Sequence, residues 1–240
     1  MKLYDSIIKQ TMDVLSCDEA RRFAYDGARV WKDRGSSELI MQRDTAFELG
    51  GSETDSVNYT CVTTSGEVAE DEVLLYGPDL QEIKEDTAFA RIAVLETEDL
   101  GEAQDQEKAF QTIRNLDFVR YHIFPAGYMA RVSSASDREQ VRVSRKVKEA
   151  GIRFAYVGFA YIRKYRQVPQ VRRVRMIFFT DPALVAALVP FAPKVAEITR
   201  TLTHILDGLP ADCGHCSMKA VCDEVEGMRE LHLNKKNTKG

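Results

Sequence analysis

Three of the chain's five cysteines, Cys213, Cys216 and Cys222, fall within ten residues in the stretch "DCGHCSMKAVCDEVEG". Their pattern is C-x2-C-x5-C. The first pair can converge on one metal ion around a tight turn, which Gly214 eases, as zinc and iron–sulfur sites require. Either centre ordinarily takes four ligands. The fourth would have to come from His215, Asp212, Cys17, Cys61 or an exogenous group. Three thiols packed under a terminal helix give the same pattern, because cysteine is among the most often buried residues and Met218 and Val221 make the stretch partly apolar. On spacing alone the metal site and the buried thiols both stand.

A second group of residues is basic. In "REQVRVSRKVKEAG" the residues Arg138, Arg142 and Arg145 follow an i, i+4, i+7 spacing, which on a helix lines three guanidinium groups along one face. The strand-like "VRRVRMIFF" adds Arg172, Arg173 and Arg175, with Arg163, Lys164 and Arg166 in between. From Arg131 to Arg175 there are thirteen Lys and Arg against three Asp and Glu, an excess of ten positive charges in a chain whose net charge is −4. A surface facing an anion, or a solvated face balanced by the acidic remainder, would both produce this asymmetry. Arginine exceeds lysine ten to three in this segment, and planar guanidinium forks suit phosphate and carboxylate. The pI near 5.7 and the acidic flanks argue against nucleic acid as the partner. They leave room for a compact phosphate-bearing molecule or an acidic protein patch. No P-loop, dinucleotide fingerprint or nucleophile elbow occurs, and the four histidines are scattered, so no catalytic residue is assigned.

The elements that must position these groups read as α+β, a mixed β-sheet with packed helices, a helical N-terminus and a helical Cys-rich C-terminal end. Helical spacing of Ile7, Ile8, Met12 and Leu15 is followed by a continuing helical pattern through Trp31 to a stop at Gly35. Strands are expected at "ELIMQRD", "SVNYTCVTT", "DEVLLYG", "FARIAVLETE", "FVRYHIF", "GYMARVSS" and "VRRVRMIFFT". Helices are expected from 101 to 115, from Ser136 to Gly151 (where Ser136 and Glu139 make an S-x-x-E cap), over "FAYVGFAYIRKY", and from Asp181 onward. The breaks suggest three parts: an N-terminal helical and β subdomain over 1–80, an α+β domain over 81–210, and the Cys-rich segment over 211–240.

Hydrophobic residues make up 44% and charged residues 29%, the balance of a globular protein. No unbroken apolar run of membrane-spanning length and no signal-peptide core occurs, so a cytoplasmic, non-membrane protein is expected. Five cysteines cannot all pair within the chain, which fits a reducing compartment.

The stretches "GPDL", "ARIAVLETEDLGEAQ", "VRYHIFPAGYMARVSSASDREQVRVSRKVKEAG" and "CSMKAVCDEVEGMRELH" together resemble the central part of the β subunit of the CO dehydrogenase/acetyl-CoA synthase complex, the CO-methylating acetyl-CoA synthases. The resemblance implies anaerobic one-carbon metabolism in which methyl, CO and coenzyme A are joined at a nickel and iron–sulfur centre. Only 18 residues follow Cys222 and none is cysteine, so the family's nickel ligands find no counterpart here. The resemblance therefore implies a stand-alone, central-domain-like protein that binds a partner or coenzyme A through its arginines. The alternative is a separately encoded subunit or fragment, active only with other chains. Partners implied are a corrinoid protein, a ferredoxin or CO dehydrogenase/acetyl-CoA synthase components. In such metabolism a [4Fe–4S] cluster on Cys213, Cys216 and Cys222 is preferred over zinc.

Overall fold

The computed structural model describes residues 2–15, 20–98, 106–132, 138–206 and 219–224. Apolar strands form its centre. The long runs β5 (Phe89–Thr97) and β8 (Val171–Phe179) are antiparallel neighbours in a five-stranded mixed sheet. β4 (Glu72–Tyr76) runs parallel to β8 on one side, and β3 (Ser56–Thr63) runs parallel to β5 on the other. β1 (Arg21–Ala24) closes the β4 edge, so the order is β1-β4-β8-β5-β3. The sequence boundary near residue 80 falls between β4 and β5, two strands of this one sheet. Every residue of β3, β4 and β5 is buried, including polar ones such as Asn58, Glu72 and Arg91.

Helices cover both faces of this sheet. α4 (Phe154–Tyr165) packs on β4 and β8, where Phe154 stacks on Phe178. The approach is close because residue 158 is glycine: a Cβ there would stand 2.4 Å from Val73 Cγ2. α1 (Asp5–Leu15) lies on the opposite face, since Thr11 hydrogen-bonds Tyr59, whose side chain leaves β3 on the side opposite to its neighbour Asn58. α5 (Pro182–Leu188) begins at Asp181, whose carboxylate accepts from the amides of Ala183 and Leu184, and packs on β3, β5 and β8. α2 (Gln106–Val119) and α6 (Phe191–Leu206) pack together and against β3, so they cover the sheet's second edge. Pro182–Ile205 is apolar and long enough to cross a membrane by composition, but it is two helices that break at Val189 and Pro190.

A second, three-stranded antiparallel sheet has the order β2-β7-β6, made of β2 (Thr45–Leu49), β7 (Glu139–Ser144) and β6 (Tyr128–Val132). It leans on β3 and β5. α3 (Arg145–Glu149) follows β7 directly, and α7 (Lys219–Glu224) packs on α6.

The α+β class and most of the strands agree with the sequence reading, with four differences. The strand expected at "ELIMQRD" is irregular chain ending in a 3-10 turn at Gln42–Asp44, and β2 begins only at Thr45, where pairing with β7 starts. The helix expected from Ser136 to Gly151 is instead a strand followed by a single short helix; Ser136 itself lies outside the described residues. Glu139, Val141 and Val143 are fully buried while Gln140, Arg142 and Ser144 are not, a period of two that pairing with β2 and β6 enforces over the helical one. "FVRYHIF" is the end of α2 with a 3-10 turn at Arg120–His122. The pattern continued toward Trp31 holds β1, which edge pairing with β4 draws out of a helix.

Candidate binding surfaces and a buried ion pair

Four of the six predicted arginines are occupied within the chain. Arg138 donates to the carbonyls of Gly51 and Thr54, each at 2.7 Å. Arg142 donates from Nε to Glu48 Oε1 at 2.6 Å, and Arg145 donates to the Thr45 carbonyl at 3.0 Å. Together they staple the segment around β2 to β7. Arg175 pairs with the buried carboxylate of Glu72 at 2.6 Å. The first three therefore do not share a helix face.

Arg172 and Arg173 differ. Both are exposed at the start of β8, and with Arg166 from the C-terminal end of α4 they border an open cavity of about 590 Å³. Arg172 has only a long contact to Glu98, 3.8 Å with both side chains more than half exposed, and such pairs contribute little. Arg173 donates to the carbonyl of Arg172, and Arg166 to the carbonyls of Val171 and Arg172. Those bonds hold the forks at the mouth of the cavity. Glu96, on its wall, is taken up by the amides of Gly66 and Val68. The cavity can accept an anionic group from solvent without breaking a buried contact.

The strongest electrostatic feature lies in the core. Arg91 and Glu139 are both 0% exposed, and Arg91 Nε lies 2.8 Å from Glu139 Oε2. Arg91 Nη2 donates to Asn58 Oδ1 at 3.1 Å, and its guanidinium sits 4.5 Å above the ring of Tyr161. Ser56 accepts from the Glu139 amide and donates to its carbonyl, which fixes the strand that carries the carboxylate. Burial pushes the Glu139 carboxyl up, against the pull of Arg91. Burial is the largest influence on Arg91 and opposes its charge, but the Glu139 carboxylate together with Tyr161, Tyr165 and Tyr128 outweighs it, and the guanidinium stays protonated. Both side chains are fully buried between the two sheets, so this pair orders the core. Sequence reasoning missed it, although a charge in the middle of "FARIAV" was a visible signal.

The cysteine motif lies largely outside the described residues. Cys213, Cys216 and Cys17 are not described; Cys222 belongs to α7, whose backbone alone is described there. Cys61 is buried in the core, and burial pushes its thiol up. Among the described residues no group of three or more His, Cys, Asp or Glu is placed to hold a metal ion.

A mixed sheet between helices, with an arginine-bordered open cavity beside it, defines an α+β domain. The family model of the CO dehydrogenase/acetyl-CoA synthase complex beta subunit matches residues 34–185, more than half of the chain, and the chain belongs to that family. The match includes the stretches from "GPDL" to "KVKEAG" and ends before Cys213. No curated protein matches the chain.

Proposed function

We propose that this chain serves acetyl-CoA-synthase-type CO and one-carbon metabolism as a binding component, holding coenzyme A or an acidic surface of a complex partner at Arg166, Arg172 and Arg173. Family membership supplies the metabolic setting. The observation that carries the reading is the exposure of Arg172 and Arg173 at one open cavity, with Arg166 anchored beside them by the Val171 and Arg172 carbonyls and 3.7 Å from Asp71. The candidate partners are a corrinoid protein, a ferredoxin or CO dehydrogenase/acetyl-CoA synthase components.

Charge-assisted contacts are each worth about 1.5–3 kcal/mol, so removing two should weaken binding by about two orders of magnitude or more. Coenzyme A titrated calorimetrically into the wild type and into an Arg172→Ala/Arg173→Ala variant tests the cofactor arm; co-purification with the complex components tests the partner arm. Equal behaviour of both proteins in both assays removes these arginines from the site.

The C-x2-C-x5-C motif carries a second part of the reading, a [4Fe–4S] cluster on Cys213, Cys216 and Cys222, in preference to zinc. It rests on ligand spacing and metabolic setting. Anaerobically purified protein should be brown, with about four iron and four sulfide per chain that are lost on Cys216→Ser. One equivalent of zinc would decide for the other metal, and a metal-free wild type would reject both.

A further inference from the structure

The small sheet turns one face to the core and the other outward. Along β7 the buried Glu139, Val141 and Val143 alternate with Gln140 and Arg142, which are partly exposed, and Arg138 just ahead of the strand continues this outer set. Arg131 of β6 stands directly opposite Gln140, so their side chains adjoin on the same face. Arg131, Arg138 and Gln140, with the chain from Gly50 to Ser52 that follows β2, line an open cavity of about 500 Å³.

Each of these three side chains keeps a polar group open to that face. Arg138 spends Nη2 on the carbonyls of Gly51 and Thr54, which fixes the guanidinium; its Nε and Nη1 take no partner among the described residues and are not buried. Gln140 donates from Nε2 to Glu48 Oε2 at 2.6 Å, so Oε1 is the atom it can offer, and that atom too is unburied and unpartnered among the described residues. Arg131 is exposed, with no partner among the described residues. The β2 carboxylate on this face, Glu48, is consumed by Arg142 and Gln140, each at 2.6 Å, and no acidic side chain lines the cavity.

The wall therefore offers two cations and one acceptor. Cations on two different strands match an anion charged at both ends, whereas phosphate gathers its charge at one point. The Gln140 oxygen cannot meet a carboxylate, so the ligand must bring a hydrogen-bond donor as well. The volume suits a small organic molecule.

We infer that this cavity binds a small hydroxy-dicarboxylic acid, its two carboxylates on Arg131 and Arg138 and its hydroxyl donating to Gln140 Oε1. The site belongs to the other sheet from the arginines of β8 and does not depend on the function proposed above.

Malate, succinate, which lacks the hydroxyl, and inorganic phosphate are the probes, titrated into the full chain by calorimetry and by NMR observation of the Gln140 side-chain amide. Malate is expected to bind saturably and shift that amide, with succinate about fivefold weaker and phosphate about tenfold weaker. Arg131→Ala should lower malate affinity about tenfold without changing the urea unfolding curve, because Arg131 makes no contact that the fold uses. The Arg172→Ala/Arg173→Ala variant should bind malate as the wild type does. Absence of saturable malate binding, succinate or phosphate binding as tightly as malate, wild-type affinity in Arg131→Ala, or loss of binding in the Arg172→Ala/Arg173→Ala variant would each overturn the proposal.

Discussion

Neutralising Glu139 should unfold this protein more readily than any surface change, and restoring charge balance should undo much of the damage. Glu139→Gln keeps the shape of the side chain but leaves Arg91, 0% exposed, as an uncompensated buried cation. Breaking a buried ion pair from one side costs about 3–5 kcal/mol. For a domain of this size about 2–4 °C of Tm goes with each kcal/mol, so Glu139→Gln should melt about 6–20 °C lower. Replacing both members, as Arg91→Met with Glu139→Leu, removes the charges along with their desolvation penalty, and such swaps are often neutral or stabilising. Here Asn58 Oδ1 would lose its donor, an expense of about 1–3 kcal/mol. The double variant should therefore recover part of the loss without passing the wild type. Urea unfolding followed by circular dichroism measures all three proteins. If Glu139→Gln unfolds within about 1 kcal/mol of wild type, or the double variant is no more stable than the single one, the reasoning from buried charge is refuted.

Gly158→Ala should destabilise by about 1–3 kcal/mol, although alanine is the better helix former, because its Cβ would meet Val73 and Phe178 at 2.4 and 3.0 Å; thermal melts check this. The Glu82 carboxyl is held below its ordinary value by the Arg21 side chain and then by the Asp79 amide, so its stabilisation is present above pH about 4.5 and lost as pH falls through the depressed folded value. In Arg21→Ala the carboxyl should titrate nearer the ordinary value by carbon-detected NMR, and its stability difference from wild type should vanish at low pH. Burial pushes the Cys61 thiol up, so an alkylating reagent should leave it unlabelled in the native protein and label it after unfolding, as peptide mass mapping would show.

The sheet strands were legible because β-branched, aromatic and aliphatic residues between turn residues mark them locally: "SVNYTCVTT", "DEVLLYG", "FARIAVLETE" and "VRRVRMIFFT" match β3, β4, β5 and β8. The helix α4 and the Asp181-capped start of α5 were legible for equally local reasons, apolar length in one and a side-chain cap in the other. The segment from Glu139 to Glu149 was misread because its arginines at 138, 142 and 145 satisfy a helical spacing while Glu139, Val141 and Val143 satisfy a strand spacing. Only pairing with β2 and β6 breaks that tie.

The arginines show the same division. Composition alone established an excess of positive charge between Arg131 and Arg175. It could not tell which guanidinium groups would be consumed, because each consuming partner is distant in the chain: Gly51 and Thr54 for Arg138, Glu48 for Arg142, Glu72 for Arg175. Arg91 and Glu139 are 48 positions apart and meet only because the small sheet leans on β3 and β5. A residue's type determines what bond it can make, and local periodicity determines which side of its element it occupies. Whether that bond is made internally or left for a ligand depends on contacts between elements remote in sequence, which only the tertiary structure decided.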